Sequence, residues 1–251
     1  MTKPTLSPSK FTTYLACPVR YRWTYVDPRG RWYVRSRATY SFGTTLHKVL
    51  ETFHARGAVD TVDEVLSSYE ENWLDAGYSS AEEMAEAFGD GKEILEAYVE
   101  EARRTPATAE TLFVERTLKR DMGAFVLVGR IDRVDSNAHG LEIIDYKTGV
   151  AALKADDAAH SLSLGCYALL LEEQRPETRL QATLIALRTN SRSTTTYGGP
   201  ELRRFENDLR ELAARVLAPE QDPVPIPKPL CRTCDFLPLC RRDARWIEPD
   251  M

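Results

Sequence analysis

Residues 125–149 read FVLVGRIDRVDSNAHGLEIIDYKTG, and this stretch decides the fold of the chain. Two runs rich in β-branched and apolar residues flank a series of turn-forming residues, Asp135 to Gly140, so the stretch predicts a β-hairpin. With its turn centred between residues 138 and 139, the hairpin places Asp132 directly opposite Asp145. Two carboxylates are therefore predicted to meet where two adjacent strands run side by side.

The predicted hairpin also carries a lysine next to these carboxylates. Side chains alternate faces along a strand, so Asp145 and Lys147 share one face and Tyr146 takes the other. Two facing carboxylates repel by about 0.2 to 1 kcal/mol in exposed pairs unless a cation lies between them. Mg²⁺ or Mn²⁺ is the cation best suited to such a pair. Lys147 could then position an attacking water or neutralise charge on a phosphoryl oxygen. Because D-x-K is a common pattern, a surface hairpin with chance charges remains the alternative.

The segments around the hairpin add further candidates. A helix-periodic run opens at Gly43 and continues through Phe53, with His47 on its first turns. Leu112 to Leu118 predicts a strand that bears Glu115, which either faces the site or is a solvated carboxylate. A helix over His160 to Glu173 and a β-rich run over Gln181 to Thr189 follow the hairpin. The predicted order is helix, three strands, helix, strand.

In this order and these motifs the chain resembles the PD-(D/E)XK nuclease superfamily, and in detail its RecB-type exonuclease branch. The resemblance implies an α/β, restriction-endonuclease-like core, with a mixed sheet flanked by helices. It implies a metal-dependent DNA nuclease, an exonuclease or a single-strand-specific enzyme of DNA repair or recombination. It also implies that Asp132, Asp145 and Lys147 are catalytic. The implied ligands of the Mg²⁺ or Mn²⁺ ion are His47 from a G-x-x-x-H motif, Asp132, Asp145 and the backbone carbonyl of Tyr146.

One family motif is incomplete. The family places a Gln four residues before a Tyr on the second core helix, whereas here Tyr167 is present and Ser163 takes the Gln position. A serine is shorter and reaches less far towards a phosphate next to the ion. This difference keeps open a non-catalytic DNA-binding module that retains the fold. A CRISPR-adaptation nuclease, which shares these motifs and the cysteines described next, is a second alternative.

Four of the five cysteines form the second strong signal. Cys231, Cys234 and Cys240 follow a C-x2-C-x5-C pattern, which favours a metal site over disulfides, and three thiolates need a fourth ligand. The segment around Cys17 resembles the N-terminal part of iron-sulfur RecB-type nucleases, which implies that Cys17 completes a [4Fe-4S] cluster. The spacing alone also allows Zn²⁺. Either centre would staple the two ends of the chain, while Cys166 is expected to be a small buried hydrophobe.

Charge is unevenly distributed in this chain of net charge −5. Residues 1–40 hold eight basic side chains against one acidic side chain and interleave them with aromatic residues, a combination suited to binding single-stranded DNA. A solvated face is the plainer interpretation of the same pattern. Residues 55–110 are acidic and helix-periodic, which predicts a helical insert that faces away from DNA and is either solvated or in contact with a partner. The candidate DNA-binding residues are Arg20, Arg22, Arg29 and Arg31.

These features predict one nuclease domain over residues 1–251, and an apolar fraction of 43% supports a substantial core. No apolar run approaches the ~20 residues that span a bilayer, so we expect no membrane association and a cytoplasmic location. No Walker motif is present, so a helicase or CRISPR-adaptation partner would be another chain. The predicted parts are the basic and aromatic segment 1–40, the acidic helical insert 55–110, the catalytic core 111–190, and the proline-rich strap with the three-cysteine segment, 219–251.

Overall fold

The computed structural model describes residues 3–104, 109–174, 179–218 and 222–248. Small parts of the predicted segments lie outside the described residues, namely 1–2 of the basic segment, 105–108 of the acidic insert, 175–178 of the core, and 219–221 and 249–251 of the strap and its end. No helix in the described ranges is long and apolar enough to cross a membrane.

Helices and strands follow the predicted order over the core. Ser7 caps the first helix by accepting a hydrogen bond from the Lys10 backbone N–H at 3.3 Å, and Pro8 occupies its first position. The elements are β1 Thr5–Leu6, α1 Pro8–Ala16, α2 Pro18–Tyr21, α3 Ala38–Ala55, α4 Val62–Glu71, α5 Ala81–Arg104, β2 Glu110–Asp121, β3 Val126–Asn137, β4 Gly140–Lys147, α6 Leu162–Gln174, β5 Leu180–Ala186, β6 Ser191–Tyr197, α7 Gly199–Leu217 and α8 Leu237–Cys240.

The six strands form one mixed sheet. Strand β2 runs antiparallel along one edge of β3 for nearly its whole length. Along the other edge of β3, β4 pairs antiparallel with residues 133–137, and the short β1 pairs parallel with residues 126 and 127. Strand β5 continues the sheet parallel to β4, and β6 ends it antiparallel. The predicted mixed sheet flanked by helices is therefore confirmed.

The β3–β4 hairpin has the predicted register. Arg133 pairs with Ile144 and Asn137 pairs with Gly140, so the turn lies at residues 138 and 139. The ladder ends at Arg133 and Ile144, and the next position in the same register holds Asp132 and Asp145. The two carboxylates thus lie just beyond the point where the two strands stop pairing.

Helices cover both faces of the sheet, which gives three layers. Helices α1, α6 and α7 bury one face, where Ile131 and Ile143 belong to the larger hydrophobic core. Helices α3, α4 and α5 bury the other face, where Ile144 and Ile185 belong to a second core. Cys166 lies fully buried in the larger core, where burial raises the pKa of its thiol, so it is the buried hydrophobe that the sequence predicts.

The acidic insert is part of this architecture, because its helices pack against the sheet. Val65, Tyr69, Leu95 and Val99 of α4 and α5 share the second core with the sheet, and acidic side chains occupy the opposite, exposed faces. The loop after α4 reaches the candidate site itself, because Asn72 and Leu74 line its cleft. Periodicity revealed the apolar stripe of each helix but not the surface that covers it, so the sequence did not show that the insert packs on the sheet.

Two glycines on α5 test how tightly the insert packs. A Cβ on Gly91 would overlap the Tyr69 hydroxyl, whereas a Cβ on Gly89 meets nothing within 4 Å. We expect Gly91→Ala to lower the free energy of unfolding by about 1 to 3 kcal/mol through overpacking. Gly89→Ala is the matched control and should raise it by about 0.5 to 1 kcal/mol, since alanine favours a helix. Urea unfolding measures both, and equal effects would contradict this packing.

Candidate metal centre

Asp132 lies at a break in the sheet. The pairing of β2 with β3 includes Val114–Arg133 and Arg116–Ile131 but skips Asp132 between them. The pairing of β3 with β4 ends at Arg133, the neighbour of Asp132, so Asp132 is unpaired on that side as well. The side chain of Asp132 replaces part of the missing ladder, because its Oδ2 accepts a hydrogen bond from the Tyr146 backbone N–H at 2.8 Å. Its Oδ1 remains available to face the cleft between the sheet and α3.

Glu115 is turned towards Asp132 by an unusual backbone conformation. Its φ of 47° lies in the left-handed region, which a non-glycine residue adopts at a cost of about 1 to 3 kcal/mol. The side chain is only 7% exposed and forms an ion pair with the cleft residue Arg130. The Glu115 carboxylate is therefore not simply solvated. Backbone strain of this kind is typical of functional sites.

His47 completes a group of three possible metal ligands. It lies in the middle of α3, which begins at Ala38 and so starts five residues before the predicted Gly43. Its Nδ1 lies 3.4 Å from Glu115 Oε1 and 3.5 Å from Asp132 Oδ1. Ligand atoms of these three residues all lie within 4.8 Å of one another, and they form the one such group in the described part of the chain.

The spacing and charge of this group fit a divalent cation. Neighbouring ligand atoms of an octahedral ion at about 2.1 Å are about 3 Å apart, close to the distances around His47. Burial alone would lower the pKa of His47, but the hydrogen bonds and negative charges of Asp132 and Glu115 outweigh it and raise that pKa to about 10. The site therefore favours a positive charge at this point.

Asp145 and Lys147 lie beside the group. Burial raises the pKa of Asp145, the charge of Lys147 opposes this shift, and the charge of Asp132 adds to it. Asp145 Oδ2 is buried and forms an ion pair with the Lys147 ammonium. A buried carboxylate of this kind is held by cationic partners. In the structure, Glu115 lies closer to His47 and Asp132 than Asp145 does, although Asp145 was the predicted ligand.

Tyr146 connects the site to a buried polar network that the sequence analysis missed. Its ring lies on the opposite face from Asp145, at 6.0 Å from the ring of His47, and its hydroxyl lies 2.9 Å from Arg133 Nη1 and 3.0 Å from the Tyr98 hydroxyl. Arg133 Nη1 also lies 2.6 Å from His54 Nε2. The network joins α3, α5, β3 and β4 directly behind the site. The only sign of this network in the sequence was the position of Arg133, two residues after a buried hydrophobic residue.

Arg133 is balanced on its other side by Asp135. The two form an ion pair at 2.9 Å, and the Thr111 hydroxyl donates to Asp135 at 2.9 Å. Burial, followed by the charge of Arg133, lowers the pKa of His54 to about 2, so this histidine stays neutral and acts as an acceptor. At neutral pH the network therefore joins a charged arginine to neutral acceptors, although the buried Arg133 Nε has no hydrogen-bond partner among the described residues.

The site opens into a cleft of about 630 Å³. Its walls come from α3, the loop after α4, and strands β2 and β3, with Thr148 just after β4. Arg130 was quoted within the hairpin motif but not recognised as a cleft residue, although side chains two apart on a strand share a face. The cleft residues that sequence reasoning did not single out are Thr39, Tyr40, Thr44, Lys48, Asn72, Leu74, Arg130 and Thr148.

Tyr167 lies close to the carboxylates, whereas Ser163 makes no described contact with them. Burial raises the pKa of Tyr167, and the negative charges of Asp145 and Asp132 raise it further, which places its hydroxyl near the site. Helix α6 approaches β3 closely here, since a Cβ on Gly129 would lie 2.7 Å from Leu170 and 3.0 Å from the Tyr167 ring. This close approach explains the glycine three residues before Asp132.

The four candidate cluster cysteines come together at the two ends of the chain. Burial, followed by the charges of Cys234, Cys17 and Cys231, raises the pKa of Cys240 to about 12, so the thiols are neighbours. The backbone N–H groups of Arg20 and Lys228 donate to the sulfur atoms of Cys17 and Cys231, each at 3.4 Å. The Lys228 amino group also donates to the Ala16 carbonyl at 2.8 Å.

The predicted DNA-binding arginines differ in their surroundings. Arg22 forms an ion pair with Asp222, and Arg29 forms one with Asp27 at 2.6 Å. The guanidinium of Arg31 lies 4.6 Å from the ring centre of Trp32. Arg20 lies near the cysteines, since its charge acts to lower the pKa of Cys234. Two of the four positive charges are therefore already balanced by acidic side chains.

Residues 5–241 match the family model PDDEXK_1, described as the PD-(D/E)XK nuclease superfamily. The chain belongs to the PD-(D/E)XK nuclease superfamily. Members of this superfamily use divalent metals, which agrees with the His47, Glu115 and Asp132 group. A solved structure of SSO0001 is similar to this chain with 16% sequence identity and a TM-score of 0.38, and the similarity covers 78% of this chain and 83% of that one. No curated protein matches the chain.

The neutral state of His54 predicts a pH dependence of stability. The unfolded chain protonates His54 near pH 6.5, whereas the folded chain does so only near pH 2. Between these values the unfolded state binds more protons, so acidification favours unfolding. From pH 7.5 to 5.0 the wild type should lose about 2 kcal/mol more than His54→Gln.

Denaturant unfolding at the two pH values measures this difference. His139→Gln is the control, since His139 lies exposed in the hairpin turn and should leave the wild-type dependence unchanged. The same pH dependence in His54→Gln and the wild type would contradict the neutral, buried His54.

Proposed function

We propose that this protein is a metal-dependent DNA nuclease that hydrolyses phosphodiester bonds at the cleft beside His47. The observation that carries the proposal is the group of His47, Glu115 and Asp132 at the break in the sheet, with Asp145 and Lys147 adjacent. Membership of the PD-(D/E)XK superfamily supports it. An end-directed or single-strand-specific action in DNA repair or recombination, as in the RecB-type branch, is the finer part of the proposal.

Mg²⁺ or Mn²⁺ would be held by His47, Asp132 and Asp145, with the backbone carbonyl of Tyr146 as a further ligand. Glu115 lies close enough to His47 and Asp132 to join them or to bind a water of the ion. When bound, such an ion polarises a phosphate and lowers the pKa of a water molecule. Oxygen and imidazole ligands suit these hard cations, so the donor set fits the group.

The chain's own residues perform the remaining steps. The Lys147 ammonium forms an ion pair with Asp145, and in this proposal it orients the attacking water and balances the charge that develops on the phosphate. Tyr167 and Ser163 lie on the α6 side and would support the substrate phosphate, with the shorter Ser163 leaving a weaker grip. Tyr146 fixes Asp132 through its backbone N–H, so the ligand keeps its orientation.

End-labelled linear DNA tests this function. We expect wild-type protein, purified without air, to cleave single-stranded or duplex DNA only when Mg²⁺ or Mn²⁺ is added. Lys147→Ala should lower the rate by about 100-fold or more, since its charge acts in the transition state. The exposed Lys154→Ala is the matched control and should keep full activity.

Closed circular single-stranded DNA separates the two modes of action in the same assay. An enzyme that acts on ends leaves the circle intact, whereas an endonuclease linearises it. If folded wild type binds DNA but cuts no substrate, the non-catalytic module is the better account and Ser163 is the first residue to restore to Gln.

Cys17, Cys231, Cys234 and Cys240 are proposed to bind a [4Fe-4S] cluster. The neighbouring thiols and their backbone N–H donors support a metal centre at this place. Four cysteine ligands suit such a cluster, and Zn²⁺, which four thiolates also bind tetrahedrally, is the alternative.

Loss of one cysteine tests the centre. Cys17→Ser should lose most of its iron and unfold at a lower temperature, because the centre joins two distant ends of the chain. Cys166→Ala, which alters a cysteine outside the group, should keep its iron. About four iron and four sulfide ions per wild-type chain support the cluster, and one zinc without iron contradicts it.

A further inference from the structure

Three cavities follow one another from the metal centre to the cysteine segment. Thr39 lines both the metal cleft and a second cavity of about 550 Å³, which also includes Arg35 and Arg232. Tyr33 lines a third cavity of about 520 Å³. Tyr33 and Arg35 are two residues apart, so their Cα atoms lie within about 8 Å. The metal cleft and the second cavity are therefore adjacent, and the chain segment 33–35 leads from the second cavity to the third.

The third cavity, which we call the aromatic pocket, combines flat rings with positive charge. Trp32 is 76% exposed, so much of its ring is open to solvent. The Arg29 guanidinium lies 5.3 Å from the ring centre of Trp23. Arg242 donates to the Tyr33 hydroxyl at 3.3 Å and forms no ion pair among the described residues. The pocket is lined by Trp23, Arg29, Trp32, Tyr33, Leu239 and Arg242.

We propose that the aromatic pocket binds an unpaired base of the DNA strand whose phosphate lies at the metal centre, an inference that rests on the proposed function. Bases stack on exposed aromatic rings, and Arg242 attracts the phosphates beside them, whereas Arg29 is already paired with Asp27. Unpaired bases present both faces of the ring for stacking, whereas duplex DNA hides them. The aromatic pocket therefore binds single-stranded DNA, with low specificity for the base sequence.

The second cavity guides the backbone between the two sites. Helix α3 begins there at Ala38, whose backbone N–H already donates to the Gly77 carbonyl at 3.2 Å. Two acidic residues also line this cavity, and Asp235 already balances Arg37 at 2.7 Å. Arg35 and Arg232 are left to contact phosphates. Because this cavity holds both basic and acidic side chains, it binds the DNA backbone only weakly. The strand is held more tightly in the aromatic pocket.

Removal of Trp32 tests the pocket without touching the metal centre. Fluorescence anisotropy in EDTA, where no cleavage occurs, measures the binding of labelled oligothymidine, an abasic strand of equal length and a duplex. Trp32→Ala should weaken oligothymidine binding about tenfold or more and leave abasic and duplex binding within about twofold. Trp32→Phe should restore most of the affinity. Ile247→Ala, at an equally exposed residue outside the pocket, should bind like the wild type.

Unchanged oligothymidine binding in Trp32→Ala, an equal loss on the abasic strand, or the absence of wild-type binding would each overturn the proposal. Hydrolysis of bis(p-nitrophenyl) phosphate with Mn²⁺ separates this failure from a failure of the proposed function. This small diester reaches only the metal cleft, so Trp32→Ala should hydrolyse it at the wild-type rate. If wild type hydrolyses neither the diester nor DNA, the nuclease function fails, whatever the binding result.

Discussion

Repulsion among three buried carboxylates is the constraint on which the rest of the structure depends. Asp132, Asp145 and Glu115 are almost fully buried within one region, where like charges repel strongly. Positive groups on α3, β3 and β4 offset this repulsion, namely His47, Arg130 and Lys147. An arrangement of this kind is stable only where the surrounding fold holds every partner in place, and a divalent cation between the carboxylates would relieve the remaining repulsion.

The sheet and the buried network hold those partners. Both ladders are interrupted at Asp132, which frees its side chain, and the Tyr146 backbone N–H then fixes one of its oxygens. The Tyr146 hydroxyl is in turn fixed by Arg133 and Tyr98. The acidic insert supplies Tyr98, so a segment that appeared peripheral in the sequence supports the geometry of the metal centre.

Much of the architecture could be predicted from local patterns. Turn residues fixed the hairpin register, and Asp145 and Lys147 follow from strand alternation. The conformation of Glu115 could not be predicted, because a left-handed glutamate has no sequence marker. The early start of α3 was missed because its first turns are held by tertiary contacts, such as the Ser41 hydroxyl donating to the Ala76 carbonyl at 2.7 Å. The Arg133 network was missed because its members come from four distant elements.

A crystal structure of the protein grown with Mn²⁺ tests the central claim most directly, since anomalous scattering locates the ion independently of the protein atoms. The account predicts a Mn²⁺ peak in the cleft, in direct contact with His47 and Asp132 and with Asp145 or Glu115. It also predicts that Asp132→Asn abolishes this peak while the hairpin register is retained. A wild-type crystal with no peak in the cleft, or with the ion bound away from Asp132, would contradict it.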